Sequence, residues 1–386
     1  MILLIRNAKV YAPHPIGHND VLVAGGKIVG ISPHIHTPSG IEYREMDGSD
    51  LLLTPGFIDA HVHIAGAGGE GGPATRTPEI PLSQLLEAGV TTVVGCLGTD
   101  GMTRNLESVL MKVKALRNEG MSAFMYSGAY QVPTPTLTGD VGRDVALIDE
   151  VIGIGEIALS DHRSSTPTVH ELIKLAEHAR VGGMLGGKAG IVNIHMGDAK
   201  KPFKPLYEAV DKSELPIKQF FPTHCNRNHY IFEDAKEYGK KGWIDITTSS
   251  YPYFPEYEIK PSKAVAELLK AGVPEGHITF TSDANGSLPD FDEQGNLVKL
   301  EKGLPMANLT ELRDMVLNEK IPLETALKML TENPANVLKL KSKGHITVGA
   351  DADLLLLNKD MQIVHALANG KLIIEDSSLL IKGAYE

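Results

Sequence analysis

The chain has 386 residues and a net charge of −11 with no basic tract, so it can bury a large core and lacks the electrostatic footprint of a nucleic-acid-binding protein. Apolar residues (42%) and charged residues (22%) stand in ordinary globular proportions, and no apolar run is long enough to span a membrane. Cys96 and Cys225 are the only cysteines, which excludes a disulfide framework and makes a reducing cytoplasm the expected compartment.

Met1-Ile-Leu-Leu-Ile-Arg6 is too short for the apolar core of a secretory signal. Residues 1 to 54 read as short strands: Met1–Val10, Asp20–Ala24 and, after a Gly25-Gly26 turn, Lys27–Ile31. From Pro55 the pattern becomes alternating strand and helix. Pro55-Gly56 punctuates the start of Phe57-Ile-Asp-Ala-His61-Val-His63, where His61 and His63, two apart, point to one face of a strand. Gly66, Gly68, Gly69, Gly71 and Gly72 then suit a loop whose backbone approaches a ligand closely. Further strands are expected at Thr91–Gly95, Ser122–Tyr126, Val151–Leu159, Gly190–His195, Ile217–His224, Trp243–Thr247 and His277–Asp283. Helices are expected at Thr103–Arg117, at Pro167–Arg180 with Thr166 as N-cap, and at about 262–271, 309–318 and 322–331. After about Asn336 the chain returns to strands, at Leu354–Leu357, Ile363–Ala368 and Lys371–Ile374.

This alternation predicts an α/β fold, a (β/α)8 TIM barrel over residues 55–336, with a small β-sandwich-like domain built from residues 1–54 and 337–386. The carboxyl ends of barrel strands carry the active site in such folds. His61, His63, Glu156, His195, His224 and Asp283 all fall at or near those ends. Imidazoles and carboxylates in open coordination favour two divalent ions, zinc first, with cobalt, manganese or iron compatible. His61, His63 and Asp283 suit one ion, His195 and His224 the second, and Glu156 the bridge. A hydroxide shared by the ions would be the nucleophile. The competing readings are four unrelated structural histidines and a Glu156 held in a salt bridge.

The pattern resembles the amidohydrolase superfamily over nearly the whole chain. The resemblance rests on Asn7-Ala-Lys-Val10, the Pro55–His63 block, His195, His224, Asp283 and the closing Gly349-Ala-Asp-Ala-Asp353. Gly68–Pro78, Gly98-Thr-Asp100, Ser127-Gly-Ala-Tyr130, Ser160-Asp-His-Arg163, Thr223–Arg227 and Ser282–Ser287 narrow it to the isoaspartyl (β-aspartyl) dipeptidases. One departure stands out. Described members bridge their metals with a carboxylated lysine, and this strand offers Glu156 instead. Lys188, seven residues before His195, is a poor substitute. Direct bridging by Glu156 and activity independent of bicarbonate are therefore expected.

An isoaspartyl dipeptide carries one ammonium and two carboxylates. The resemblance implies Glu70 for the ammonium and Arg163 and Arg227 for the carboxylates, for which a planar guanidinium is suited. Which arginine takes which carboxylate stays open. Tyr130 would hold the oxyanion, Thr99 and Ser287 would add hydrogen bonds, and Asp283 would pass a proton from water to the leaving amine. His162 and His229 are read as structural. The resemblance also implies a homo-oligomer, up to an octamer. Rival readings are another amidohydrolase acting on a cyclic amide or N-acyl amino acid (dihydroorotase, allantoinase or D-aminoacylase-like), and a scaffold that has lost its metal ligands.

Overall fold

The computed structural model describes residues 2–37, 39–292 and 294–386. Eight short, β-branched or aliphatic segments form the barrel wall: Phe57–Val62, Val90–Gly95, Ser122–Ser127, Val151–Leu159, Ile191–Met196, Phe220–Thr223, Ile244–Thr247 and Ile278–Thr281. Apart from Ser122 and Phe124, which are half-buried, they are buried along their length, as strands covered on both faces must be. The first six run parallel in one sheet and the last two in another. Two backbone bonds close the seams. Cys225 N–H donates to Asp245 O at 3.1 Å, and His63 N–H donates to Ala284 O at 3.0 Å.

Helices pack outside this wall. Leu106–Asn118 starts where Asn105 Oδ1 accepts from Ser108 N–H at 2.9 Å. The helix expected from Pro167 begins instead at Val169, capped by Thr168 rather than Thr166. Glu171, three residues after Thr168, closes a capping box, whereas Thr166 sits in the left-handed region at φ 53°. The helix expected at 322–331 ends early, at Leu323–Lys328, and a further helix follows it at Glu332–Val337; the other two run Pro261–Lys270 and Met306–Leu317. A hairpin, Ser287–Phe291 with Leu297–Lys302, rises beyond the last barrel strand.

Segments from both ends of the chain share one nine-stranded sheet. Leu52–Pro55 sits inside it, parallel to Ile2–Tyr11 on one edge and antiparallel to Leu354–Leu357 on the other, with Leu53 opposite Leu356. This sheet has its own apolar core, including Leu3, Val21, Ile28, Leu53 and Leu354. Gly56 alone separates it from the barrel. Its N–H donates to Asp353 O at 2.8 Å, and a Cβ there would lie 2.2 Å from Thr91 Oγ1, so only glycine fits.

Inside the barrel a polar belt replaces hydrocarbon. Asp245 accepts from the hydroxyls of Thr223, Thr279 and Thr281, each at 2.6 Å. Asp59 accepts from Ser282 Oγ at 2.5 Å and Asn308 Nδ2 at 3.0 Å.

Candidate active site

One layer above this belt, six side chains converge. Glu156 is central. Its Oε1 lies 2.7 Å from His195 Nδ1 and 3.0 Å from His224 Nε2, while Oε2 lies 3.3 Å from His61 Nε2 and 3.9 Å from His63 Nε2. Each carboxylate oxygen thus faces one histidine pair. Asp283 Oδ1 lies 3.1 Å from His63 Nε2 and 3.7 Å from His61 Nε2. Two donor groups result, His61–His63–Cys96–Glu156 and Glu156–His195–His224, with all donor atoms of each within 4.8 Å of one another. Glu156 belongs to both.

The donor set fits metal ions. Both ring nitrogens of His61, Glu156 Oε2 and Asp283 Oδ1 are buried without a hydrogen-bond partner. Each such atom costs about 1–3 kcal/mol unless something compensates it. Four in one cluster mark a place for positive charge.

Other groups orient the histidines, as neighbours of metal ligands commonly do. His224 Nδ1 is 2.7 Å from Thr247 Oγ1, His195 Nε2 is 2.9 Å from Asp161 Oδ2, and His63 Nδ1 is 3.8 Å from Cys96 Sγ. His224 and Asp283 themselves adopt left-handed backbone, φ 62° and 52°. Such strain clusters at functional sites and persists where surrounding bonds over-determine it. Asn285 N–H to Gly303 O at 2.9 Å and Asn285 Nδ2 to His63 O at 3.0 Å do so here. Close approach also requires Gly98, where a Cβ would stand 2.8 Å from His63 Cε1.

Charge follows from these neighbours. Burial pushes the Glu156 carboxyl up, but His61, His195 and His224 outweigh it and hold the group well below the usual carboxylate range. Asp283 is lowered in the same way, against its burial, by the three histidines nearest it. Burial drives His224 down to about 4. Burial, reinforced by the charge of Glu156, raises the Tyr130 phenol well above its usual value, so it stays a donor.

A cavity of about 430 Å³ opens above the cluster. On one side Glu70 Oε1 accepts from Ser287 Oγ at 2.8 Å and lies 3.4 Å from Arg163 Nη1, which is 3.5 Å from Thr99 Oγ1. Arg163 also forks onto Asp161, with Nε 3.0 Å from Oδ1 and Nη2 2.9 Å from Oδ2. On another side Arg227 Nε donates to Asp198 at 3.0 Å. Tyr130 Oη is 2.8 Å from His195 Nδ1. All twelve residues singled out from the sequence therefore lie in or against this one site. Lys188 does not: its Nζ donates to Ile148 O and, at 3.1 Å, Val151 O, at the opposite end of the barrel strands. His162, read as structural, lines the cavity and meets the Phe291 ring edge-on at 5.0 Å between centroids. Cys96, Asp161, Asp198 and Thr247 are neighbours of the site that sequence reasoning did not single out.

The model of the amidohydrolase family matches residues 52–373, and the chain belongs to that family of hydrolases. Within it, the chain is similar to the β-aspartyl dipeptidase of the thermophilic, keratin-degrading Fervidobacterium islandicum AW-1, solved with the dipeptide β-Asp-Leu. The two are 44% identical with a TM-score of 0.92, over 98% of each chain. More distant relatives include a dihydroorotase of Solibacter usitatus, 22% identical over 94% of this chain and 90% of its own length. An allantoinase of Enterococcus faecalis is 25% identical over 92% of this chain and 86% of its own. Among the described residues no helix is long and apolar enough to cross a membrane.

Proposed function

We propose that the chain hydrolyses the β-aspartyl isopeptide bond of isoaspartyl dipeptides, releasing aspartate. The observation that carries this is the pairing of Glu70 with Arg163 at 3.4 Å, beside Ser287 and Thr99, at the rim of the donor cluster. An anion and a cation so close match the ammonium and α-carboxylate that aspartate presents side by side. A cyclic amide or ureide has no ammonium for Glu70. We assign the Arg163 side to the aspartyl head and Arg227 to the carboxylate of the leaving residue.

His61, His63 and Asp283 would hold one divalent ion, His195 and His224 the second, and Glu156 both; Cys96 stands beside the first group. Zinc suits these donors best. Such ions, when bound, supply an acidified water and polarise the scissile carbonyl. The chain's own groups do the rest. Glu70, Arg163 and Arg227 fix the substrate at both ends, which turns attack on the amide into a local event. Tyr130 donates its hydroxyl to the developing oxyanion. Asp283 takes the proton of the attacking water and returns it to the departing α-amine. The cytoplasm as compartment and a homo-oligomeric state belong to the same reading. Leu147, Val181, Met184 and Leu185, exposed on two adjacent helices, are the apolar surface that supports the latter.

The test is hydrolysis of β-Asp-Leu against α-Asp-Leu, dihydroorotate and allantoin, with metal content on the same sample. Cleavage of the β form alone, lost on chelation and restored by zinc without bicarbonate, is the expected result. Turnover of the cyclic amides in its place would remove the Glu70–Arg163 argument and keep the metal site.

A further inference from the structure

Beyond Arg227 the cavity runs along residues 248–260, the loop after the seventh barrel strand. This loop is tied to the arginine's own segment. Ile259 N–H donates to Asn226 O at 2.9 Å, and Asn226 Nδ2 donates to Ile259 O at 3.1 Å. Those bonds set Glu258 beside Arg227 and in the cavity wall. Glu258 is 9% exposed, and Ser250 Oγ donates to its Oε2 at 2.7 Å. Glu258 lines the cavity, and its Oε1 has no hydrogen-bond partner among the described residues. Among those residues no lysine, arginine or histidine nitrogen lies within 4.0 Å of it; Arg227 spends its Nε on Asp198. Phe254, Tyr257 and Leu288 line the same stretch.

A buried carboxylate with no ion pair of its own is costly, and the cost falls when a ligand brings one. Aromatic rings and a carboxylate in one stretch of wall suit a long aliphatic stem with a charged tip. We propose that Glu258 is the specificity-determining residue for the leaving side of the substrate and selects β-aspartyl dipeptides whose second residue is basic, lysine or arginine. This rests on the dipeptidase reading above. The stem would pack on Phe254 and Tyr257 while the ammonium or guanidinium reaches Glu258 Oε1, leaving that residue's carboxylate for Arg227. Burial raises the Glu258 carboxyl to about 7, reinforced by Asp198 and Asp283 and opposed by the Ser250 bond and Arg227. The subsite is therefore best read at pH 8, where the group is ionised.

The experiment compares kcat and KM for β-Asp-Lys, β-Asp-Leu and β-Asp-Glu on the zinc-loaded chain and on Glu258→Gln at pH 8. The wild type should prefer β-Asp-Lys to β-Asp-Glu by about 10–100-fold in kcat/KM, carried by KM, as one added charge-assisted contact implies. In Glu258→Gln that ratio should fall to within about threefold. Equal use of the three dipeptides by the wild type overturns the proposal without any variant, and so does a lysine preference that survives Glu258→Gln. Failure to cleave any of them overturns the dipeptidase reading itself; good cleavage of β-Asp-Leu with no lysine preference overturns this inference alone.

Discussion

Two pairs of buried carboxylates occupy successive layers of the barrel. Glu156 and Asp283, in the upper layer, face histidines, keep one unpartnered oxygen each, and are held below the usual carboxylate range against their own burial. Asp59 and Asp245, in the layer beneath, face hydroxyls and amides, and burial drives them up to about 6 and about 7. All four are buried, Asp283 at the floor of the cavity, so burial does not separate them. Partner chemistry does: a carboxylate among imidazoles stays charged and can answer a cation, whereas one among threonines is a neutral-leaning clasp between strands.

Substitutions can break that division. The largest effect is expected for Glu156→Gln, which keeps the shape and removes the charge. Activity should drop by about 10³-fold or more, with fewer metal ions per chain by elemental analysis; full metal loading with intact turnover would remove Glu156 from the centre. Tyr130→Phe should retain both ions and lose about 10²–10³-fold in kcat, the usual effect of deleting an oxyanion donor. Asp161→Asn comes next. It leaves His195 less well oriented and loosens Arg163, so metal affinity should weaken by about 10–100-fold in chelator competition while KM rises. Unchanged affinity would limit Asp161 to the arginine.

The smallest effect on activity belongs to the lower layer. Asp245→Asn should hold kcat/KM within about threefold of wild type, since no reacting group is lost. Stability is where it should act. Because the folded-state value is raised, the contribution of Asp245 is complete below its unfolded pKa, near 4, and disappears as pH climbs through about 7. At pH 5 the variant should be less stable by about 1–3 kcal/mol in denaturant melts. At pH 8 the gap should close. A variant that instead lost its metal would show that the two layers act as one.

What the sequence disclosed follows the same line. The His61–His63 pair was legible because a two-residue spacing has one meaning on a strand, and His195, His224 and Asp283 because each ends an apolar run. Glu156 could be placed by its strand, but not the way its two oxygens divide between histidine pairs. Asp161 was hidden by tertiary geometry. Ser160 turns at φ 62°, with its carbonyl accepting from Ala199 N–H at 2.9 Å, and that turn lets Asp161 reach His195. Cys96 reads as the end of an apolar strand, and no spacing reveals which histidine its thiol meets. Glu258 lies in a proline- and tyrosine-rich loop without periodicity, and the hairpin at 287–302 carries a proline that interrupts strand alternation. Thr166 lost its capping role to Thr168 because only the latter has a glutamate three positions on.

The single-residue joint at Gly56 has a consequence for biosynthesis. The segment bearing His61 and His63 leaves the ribosome early, yet the partner that fixes its approach, Asp353 with Leu354–Leu357, is translated after every barrel strand. Until then the joint is paired along one edge alone. Pairing of the joint along both edges, and with it the final approach of the histidine pair to the rest of the donor set, is thus an event of the late chain, after the last turn of the barrel has been made.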